Sequence, residues 1–479
     1  VPLVWRPVAT VLAIAVAAHL AVATRYGWDG DEFYFVICGR HLAWGYVDQP
    51  PLTPLLARLA GGLVPLRLLA VTFQAGCILL TARLTAELGG RGRAQTIAAA
   101  AIATCPIFVG GSLFFGPTVI DQLVWVAVLV LVARALRLGT TRAWLGVGLV
   151  AGIGLENKDT VAVLLAGLAV GLTLVRREVL RTRGPWLAGL LAVLIALPNV
   201  LWDASHHWPN REMARQLSRQ EGGTLGALAK LPELPLYLGG LLLIGLWVIG
   251  VRHLWSPRNR EHRWLLAVAI VAVAVFTLAG GKQYYAAPAL AGLFAAGAVR
   301  VEAANTRRGR RGWPALLTAS ALSTAVLFLP VFPVSTAGAL RPLDPIPMET
   351  YGWPQLVDLV AKAAAPLPPG TPVFTSDYGE AGALSTLGPA AGLNNPVYSG
   401  HNTYSLWGPP PGSPSTALCV GNFTADELRR SWTKVTRIAT YTLPGGLTNS
   451  ESLRGTAVYL CQDPGGSWAQ IWPQLRHFE

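Results

Sequence analysis

Asp29, Asp31 and Glu32 crowd into the run Trp28-Asp29-Gly30-Asp31-Glu32-Phe33-Tyr34, directly after an apolar stretch near residues 7–25. That stretch is long enough to span a bilayer. Charge at a membrane edge is costly and marks a functional site by default. Asp48 follows Asp31 by seventeen residues, in the proline-stiffened Asp48-Gln49-Pro50-Pro51. Between the acids lie Tyr34, His41 and Trp44, side chains suited to a membrane interface. Such a set supports two kinds of chemistry. One carboxylate takes the proton of an acceptor hydroxyl, and another holds a divalent cation. Asp31, with Glu32 as its competitor, is the candidate base, and Asp48 is the candidate metal or donor contact. The competing account is a solvated acidic loop with a helix cap.

Four further polar groups interrupt apolar sequence. In Phe115-Gly116-Pro117-Thr118-Val119-Ile120-Asp121-Gln122, Thr118 is placed to cap a helix with Asp121 at its N3 position. Asp121 is also a candidate contact for a sugar or a cationic side chain. In Gly154-Leu155-Glu156-Asn157-Lys158-Asp159-Thr160, the acids either neutralise Lys158 or leave it to bind phosphate as a point charge. The run Asp203-Ala204-Ser205-His206-His207-Trp208-Pro209 lacks the spaced histidines of a metal site, so His207 and Trp208 read as loop contacts. Lys282, Tyr284 and Tyr285 follow the pair Gly280-Gly281. Exposed backbone N–H groups and a lysine there suit a phosphate at the lipid boundary. An interfacial Lys/Tyr anchor is the plainer alternative.

The elements that must position these groups are membrane helices. The chain has 479 residues, 52% of them hydrophobic and 13% charged, where soluble domains carry about 25% charged residues. Its mean hydropathy is +0.45. The net charge of +13 gathers in arginine clusters between apolar stretches, a cytoplasmic-loop pattern that argues against a nucleic-acid partner. About eleven spans are expected, near residues 7–25, 64–88, 94–112, 117–137, 143–156, 158–175, 185–203, 233–251, 264–280, 284–301 and 313–332. Arginine-rich loops follow the even-numbered spans, and acid-bearing loops follow the odd ones. This alternation predicts a cytoplasmic N-terminus and an extracytoplasmic C-terminus. The first span has no evident cleavage site and reads as a retained helix. Residues 1–334 form the membrane part, with a first outer loop at about 26–63. Residues 335–479 are richer in Pro, Gly, Ser, Thr and Asn and read as a mixed α/β domain outside the membrane. A disulfide between Cys419 and Cys461 is open there.

Several of these segments resemble a known family. Asp31-Glu32-Phe33-Tyr34, His41-Leu42-Ala43-Trp44-Gly45-Tyr46, Asp48-Gln49-Pro50-Pro51-Leu52, Pro198-Asn199 with His207-Trp208-Pro209, and Lys282-Gln283-Tyr284-Tyr285-Ala286-Ala287-Pro288 together resemble the GT-C membrane glycosyltransferases. The specific likeness is to the bacterial branch of the protein O-mannosyltransferase and aminoarabinose transferase superfamily. Asp377-Tyr378-Gly379-Glu380-Ala381 and the run from Ser399 to Gly408 resemble the tail of actinobacterial members. The resemblance implies a polytopic α-helical membrane protein of GT-C type with an extracytoplasmic α/β domain, in the cytoplasmic membrane. It implies inverting transfer of a sugar from a polyprenyl-phosphate carrier to an envelope glycan, lipid or protein. Asp31 matches the acceptor-handling position, Lys282 and Tyr284 the carrier-phosphate region, and Lys158 a recurrent lysine. Asp48 matches an acid near a metal or the donor phosphate. Gln49 stands where the family has His or Lys, which weakens the case for a basic contact there. A lipid-linked-sugar transporter or flippase, and a noncatalytic envelope-assembly protein, are the alternatives from other classes.

Overall fold

The computed structural model describes residues 1–343 and 345–478. The chain divides into two compact units. The first comprises Val1–Ala23, Gln49–Thr53 and Val64–Leu329 and is helical. Among the described residues, four helices are long and apolar enough to cross a bilayer: Leu63–Glu87, Pro117–Leu138, Arg183–Ser205 and Tyr284–Ala304. Trp5–Leu20, Thr141–Leu155, Thr160–Val175, Leu241–Trp255 and Trp264–Leu278 are shorter apolar helices. Lipid offers backbone groups no hydrogen bonds, so apolar sequence at this depth must be helical. Two of the expected spans are broken. Cys105-Pro106 divides the third into Gly92–Thr104 and Pro106–Gly111, and Gly240, at φ +68°, interrupts the eighth.

Small residues let these helices approach closely, as is usual where lipid supplies no hydrophobic drive between them. A Cβ on Gly148 would strike the Ala188 backbone, and one on Gly167 would strike Val268. Gly250 and Gly297 let Ile244–Trp255 lie against Leu290–Ala304. Helix Arg183–Ser205 turns Leu190, Leu194, Leu197 and Leu201 outward. Their spacing of three and four residues forms one apolar face.

The second unit comprises Thr24–Asp48, Pro54–Leu63 and Pro330–Glu479. Its sheet has strands β1 (Val373–Thr375), β2 (Val397–Ser399), β3 (Thr416–Gly421), β4 (Trp432–Thr440) and β5 (Ala457–Pro464), in the order β2-β1-β3-β5-β4. β1 runs parallel to β2 and β3, and β5 is antiparallel to β3 and β4. Alternating residues serve two cores. Val373, Leu418 and Val420 pack with Leu356, Val360 and Phe33, while Phe374, Ala417 and Cys419 pack with Trp432 and Trp468. Cys419 and Cys461 are buried on neighbouring strands, and both are free thiols.

Asp29, Asp31, Glu32 and Asp48 therefore group with a different unit from the one expected. Residues 24–48 and 54–63 group with the C-terminal domain, whereas the sequence placed them with the membrane part. The cause is apolar. Phe33 is fully buried among Trp353, Leu356 and Val373, and helix Gly30–Arg40 packs on helix Tyr378–Leu387. A Cβ on Gly382 would come within 2.6 Å of Phe33 Cβ, so this crossing requires glycine.

Candidate functional site

The acids of the second unit sit on a capped helix. Asp29 is the N-cap of Gly30–Arg40, accepting from the Asp31 N–H at 2.9 Å, and Glu32 Oε2 accepts from the Asp29 N–H at 3.0 Å. Glu32 is fully buried in this capping box. Its orientation is set by satisfying the helix end, which counts against it as the base. Asp31 is half-buried at the second helical position, where a negative charge meets the positive end of the helix dipole. Its Oδ1 accepts a hydrogen bond from the Tyr378 hydroxyl at 2.7 Å.

Asp48 is linked to the same helix through Tyr34, whose hydroxyl donates to Asp48 Oδ1 at 2.6 Å. The Tyr34 and Thr403 hydroxyls are 2.7 Å apart, and the Val47 N–H donates to Thr403 at 3.0 Å. Part of Asp48 still reaches solvent, yet burial pushes its carboxyl up to about 7, Asp31's charge adds to the rise, and the Tyr34 hydrogen bond opposes it. Asp31 and Asp48 are thus electrostatically coupled. As a resident-metal ligand Asp48 lacks company: among the described residues no group of three His, Cys, Asp or Glu side chains is placed to hold an ion.

Two residues of this site lay outside the sequence candidates. Tyr378 stacks between Tyr34, with ring centroids 4.5 Å apart, and His401, at 4.7 Å. Burial, with His477 and Arg454 nearby, holds His401 down at about 3. Its Nδ1 accepts from the Tyr378 N–H at 3.2 Å, which requires that nitrogen to be unprotonated. The 3.5 Å approach of Asp377 to His401 is therefore a contact with a neutral ring and not an ion pair. Asp377 and Glu380 form a second capping box at the start of Tyr378–Leu387. The shared Asp-x-x-Glu spacing was the one local signal that could have singled out this helix start. Tyr378→Phe removes the hydroxyl that orients Asp31. It should lower kcat by about tenfold, the scale of one hydrogen bond to a charged group, with the donor KM unchanged in steady-state kinetics.

In the first unit, Lys158 gathers most of the expected phosphate-binding residues. Its ammonium lies 4.4 Å from the Tyr285 ring centroid and 5.9 Å from that of Tyr284, and it donates to Thr118 Oγ1 at 3.3 Å. Asp121 Oδ1 accepts from Thr160 Oγ1 at 2.7 Å. Asn157 pins the turn by donating to the Pro117 carbonyl at 2.9 Å and accepting from Thr53 at 2.8 Å. The expected Thr118 cap is absent. Gly116 is the N-cap, Pro117 opens the helix, and no side chain caps it; Thr118 serves Lys158 instead.

Lys282 adjoins this knot, its carbonyl accepting from the Tyr285 N–H at 3.2 Å. Lys282 is half-buried at the N-cap of the 3-10 turn Gln283–Ala289, so the cation resting on both tyrosines is Lys158. His207 and Trp208 are exposed at positive φ, in the turn closed by the Trp208 N–H to the Asp203 carbonyl. That placement suits a surface loop contact. His41 is exposed in the second unit and stacks on Trp407 at 4.4 Å.

Residues 48–202 match the family model for dolichyl-phosphate-mannose-protein mannosyltransferases. Among curated proteins, none matches the chain. The structure is similar to that of ArnT from Cupriavidus metallidurans bound to undecaprenyl phosphate, with a TM-score of 0.58 and 16% identity over 95% of this chain and 97% of that one. It is also similar to the arabinofuranosyltransferase AftD from Mycobacteria, with a TM-score of 0.54 and 12% identity over 98% of this chain and 40% of that one. The membrane helices, the appended sheet and these likenesses agree: the chain has the fold of the GT-C membrane glycosyltransferases.

Proposed function

We propose that this protein is an inverting glycosyltransferase that moves a sugar from a polyprenyl-phosphate carrier to a cell-envelope glycan, lipid or protein. The observation that carries the reading is the Asp31 carboxylate, fixed through one oxygen by Tyr378 and coupled to Asp48. The acceptor hydroxyl attacks the anomeric carbon and loses its proton to Asp31. The bond from that carbon to the phosphate oxygen breaks, and the electron pair leaves with the polyprenyl phosphate. Charge builds on that phosphate as the bond breaks, so a fixed cation stabilises the transition state more than the ground state. Within the first unit, Lys158, held by Tyr284, Tyr285 and Thr118, is the cation suited to a carrier phosphate. The ArnT structure bound to undecaprenyl phosphate supports a carrier of this class. The arginine-rich loops support about eleven spans, an extracytoplasmic second unit and residence in the cytoplasmic membrane.

The test is incubation of the purified protein in lipid with undecaprenyl-phosphate sugars and envelope extracts, followed by mass spectrometry. A new glycosidic product with release of undecaprenyl phosphate is expected. Movement of the lipid-linked sugar across the bilayer without a covalent product would make it a flippase. The rate should rise with pH through about 7 as Asp48 ionises and accepts the hydrogen bond of the Tyr34 hydroxyl, and Asp48→Asn should remove that inflection. Stability runs the other way. Asp48's folded value lies above its ordinary 3.8, so its contribution is complete below that value and is lost as pH rises through about 7.

A further inference from the structure

The second unit holds a cavity of about 460 Å³ that the acid site does not use, within the usual size range of small-molecule sites. Its position follows from the sheet order. From β1 the chain passes through helix Tyr378–Leu387 to β2 on one side, and from β3 it passes to β4 and β5 on the other. β1 and β3 are parallel neighbours, so their carboxyl ends flank a topological switch point. Open α/β sheets bind ligands at such a crevice. Ser376 and Asp377, just after β1, and Asn422 and Phe423, just after β3, line the cavity.

Its lining is graded. Phe374, Trp432, Glu380 and Glu451 are buried at its base. Asn422, Arg430 and Arg454 are exposed around its rim. Gly421, at φ +137°, keeps room beneath it, because a Cβ there would strike Ser376 and Glu380. Glu380 is fully buried. Its Oε2 accepts from Ser376 Oγ and the Asp377 N–H, each at 3.0 Å, and its carboxyl hydrogen-bonds the Glu451 carboxyl, so the two hold a proton between them. Burial raises the Glu380 carboxyl, and the neighbouring Glu451 charge raises it further.

We infer that this cavity is a binding site for an uncharged, hydroxyl-rich sugar unit of the acceptor, whose hydroxyls meet the paired Glu380 and Glu451 carboxyls at its base. The acidic base disfavours phosphate, nucleotides and other anions. The rim side chains supply donors to ring and glycosidic oxygens. The first turn of helix Tyr378–Leu387 serves both places: Asp377 and Glu380 line the cavity, and Tyr378 holds Asp31. Sugar binding stands on the cavity alone, while its role as an acceptor subsite rests on the transferase reading.

The experiment is ligand-observed NMR and titration of the full-length protein in lipid nanodiscs, with mannobiose and arabinobiose as neutral probes and inorganic phosphate as the anionic one. Saturable disaccharide binding is expected. Glu451→Gln and Asn422→Ala should each weaken it by about tenfold, with hydrolysis of the lipid-linked donor unchanged. Asn422 is exposed, so its variant reads the site even where the buried one fails to fold. Disaccharide binding that is absent or indifferent to both variants, or a preference for phosphate, would overturn the inference. If no donor is ever turned over but the disaccharide arm holds, the transferase reading falls and the sugar site stands.

Discussion

Asp31→Asn should reduce sugar transfer by about 10²–10⁴-fold, the usual contribution of a positioned base. The amide keeps the side chain's shape and can still accept from Tyr378 through its oxygen, so folding and membrane insertion should be preserved. Glu32→Ala is the informative contrast. Glu32 closes a capping box from a fully buried position, and its loss should appear as reduced thermal stability, by about 0.5–2 kcal/mol, with little change in the chemical step of whatever protein folds. Size-exclusion chromatography, a melting curve and the rate per folded molecule separate the two. Near-normal transfer by Asp31→Asn would remove Asp31 from the base role.

Lys158→Met should cost about 10²–10³-fold in kcat, the range measured for removing one group that stabilises developing charge. Part of the loss should appear as a raised donor KM, because the ground-state phosphate is charged as well. Lys158→Arg retains the cation and its place over the Tyr284 and Tyr285 rings and should recover part of the rate. Its planar fork does not reproduce a compact ammonium, so full recovery is not expected. Lys282→Ala serves as the comparison. A larger loss there than at Lys158 would move the phosphate to Lys282 and undo the assignment made from the Lys158 contacts.

What the sequence made legible was local. The apolar runs and arginine loops announced membrane helices because lipid leaves apolar chain little choice. Asp29-Gly30-Asp31-Glu32 displayed its own capping pattern, and the Lys158 segment stood out as charge between two apolar stretches. Partnerships across the chain were not legible. Tyr378 meets Asp31 across a separation of 347 residues, and Thr403 meets Tyr34 across 369; no periodicity encodes such pairings. The Thr118 cap failed for a local reason, since Pro117 at N1 and Gly116 before it had already defined the helix start. The domain boundary failed because Phe33 reads as one more interfacial aromatic until the core that buries it is seen.

The second unit draws on three stretches of chain, and this gives the enzyme a sequence in time. Asp31 and Asp48 are synthesised early, but Tyr378 and Thr403, which hold Asp31 and Tyr34, come after Pro330. At ribosomal speeds of about 5–20 residues per second, the roughly 280 residues between Asp48 and Pro330 take about 15–55 s. Until then the acidic helix has no Tyr378–Leu387 helix to pack on, and Asp31 lacks the hydroxyl that orients it. The helix that carries Asp31 is thus completed only when the stretch after Pro330 has been made.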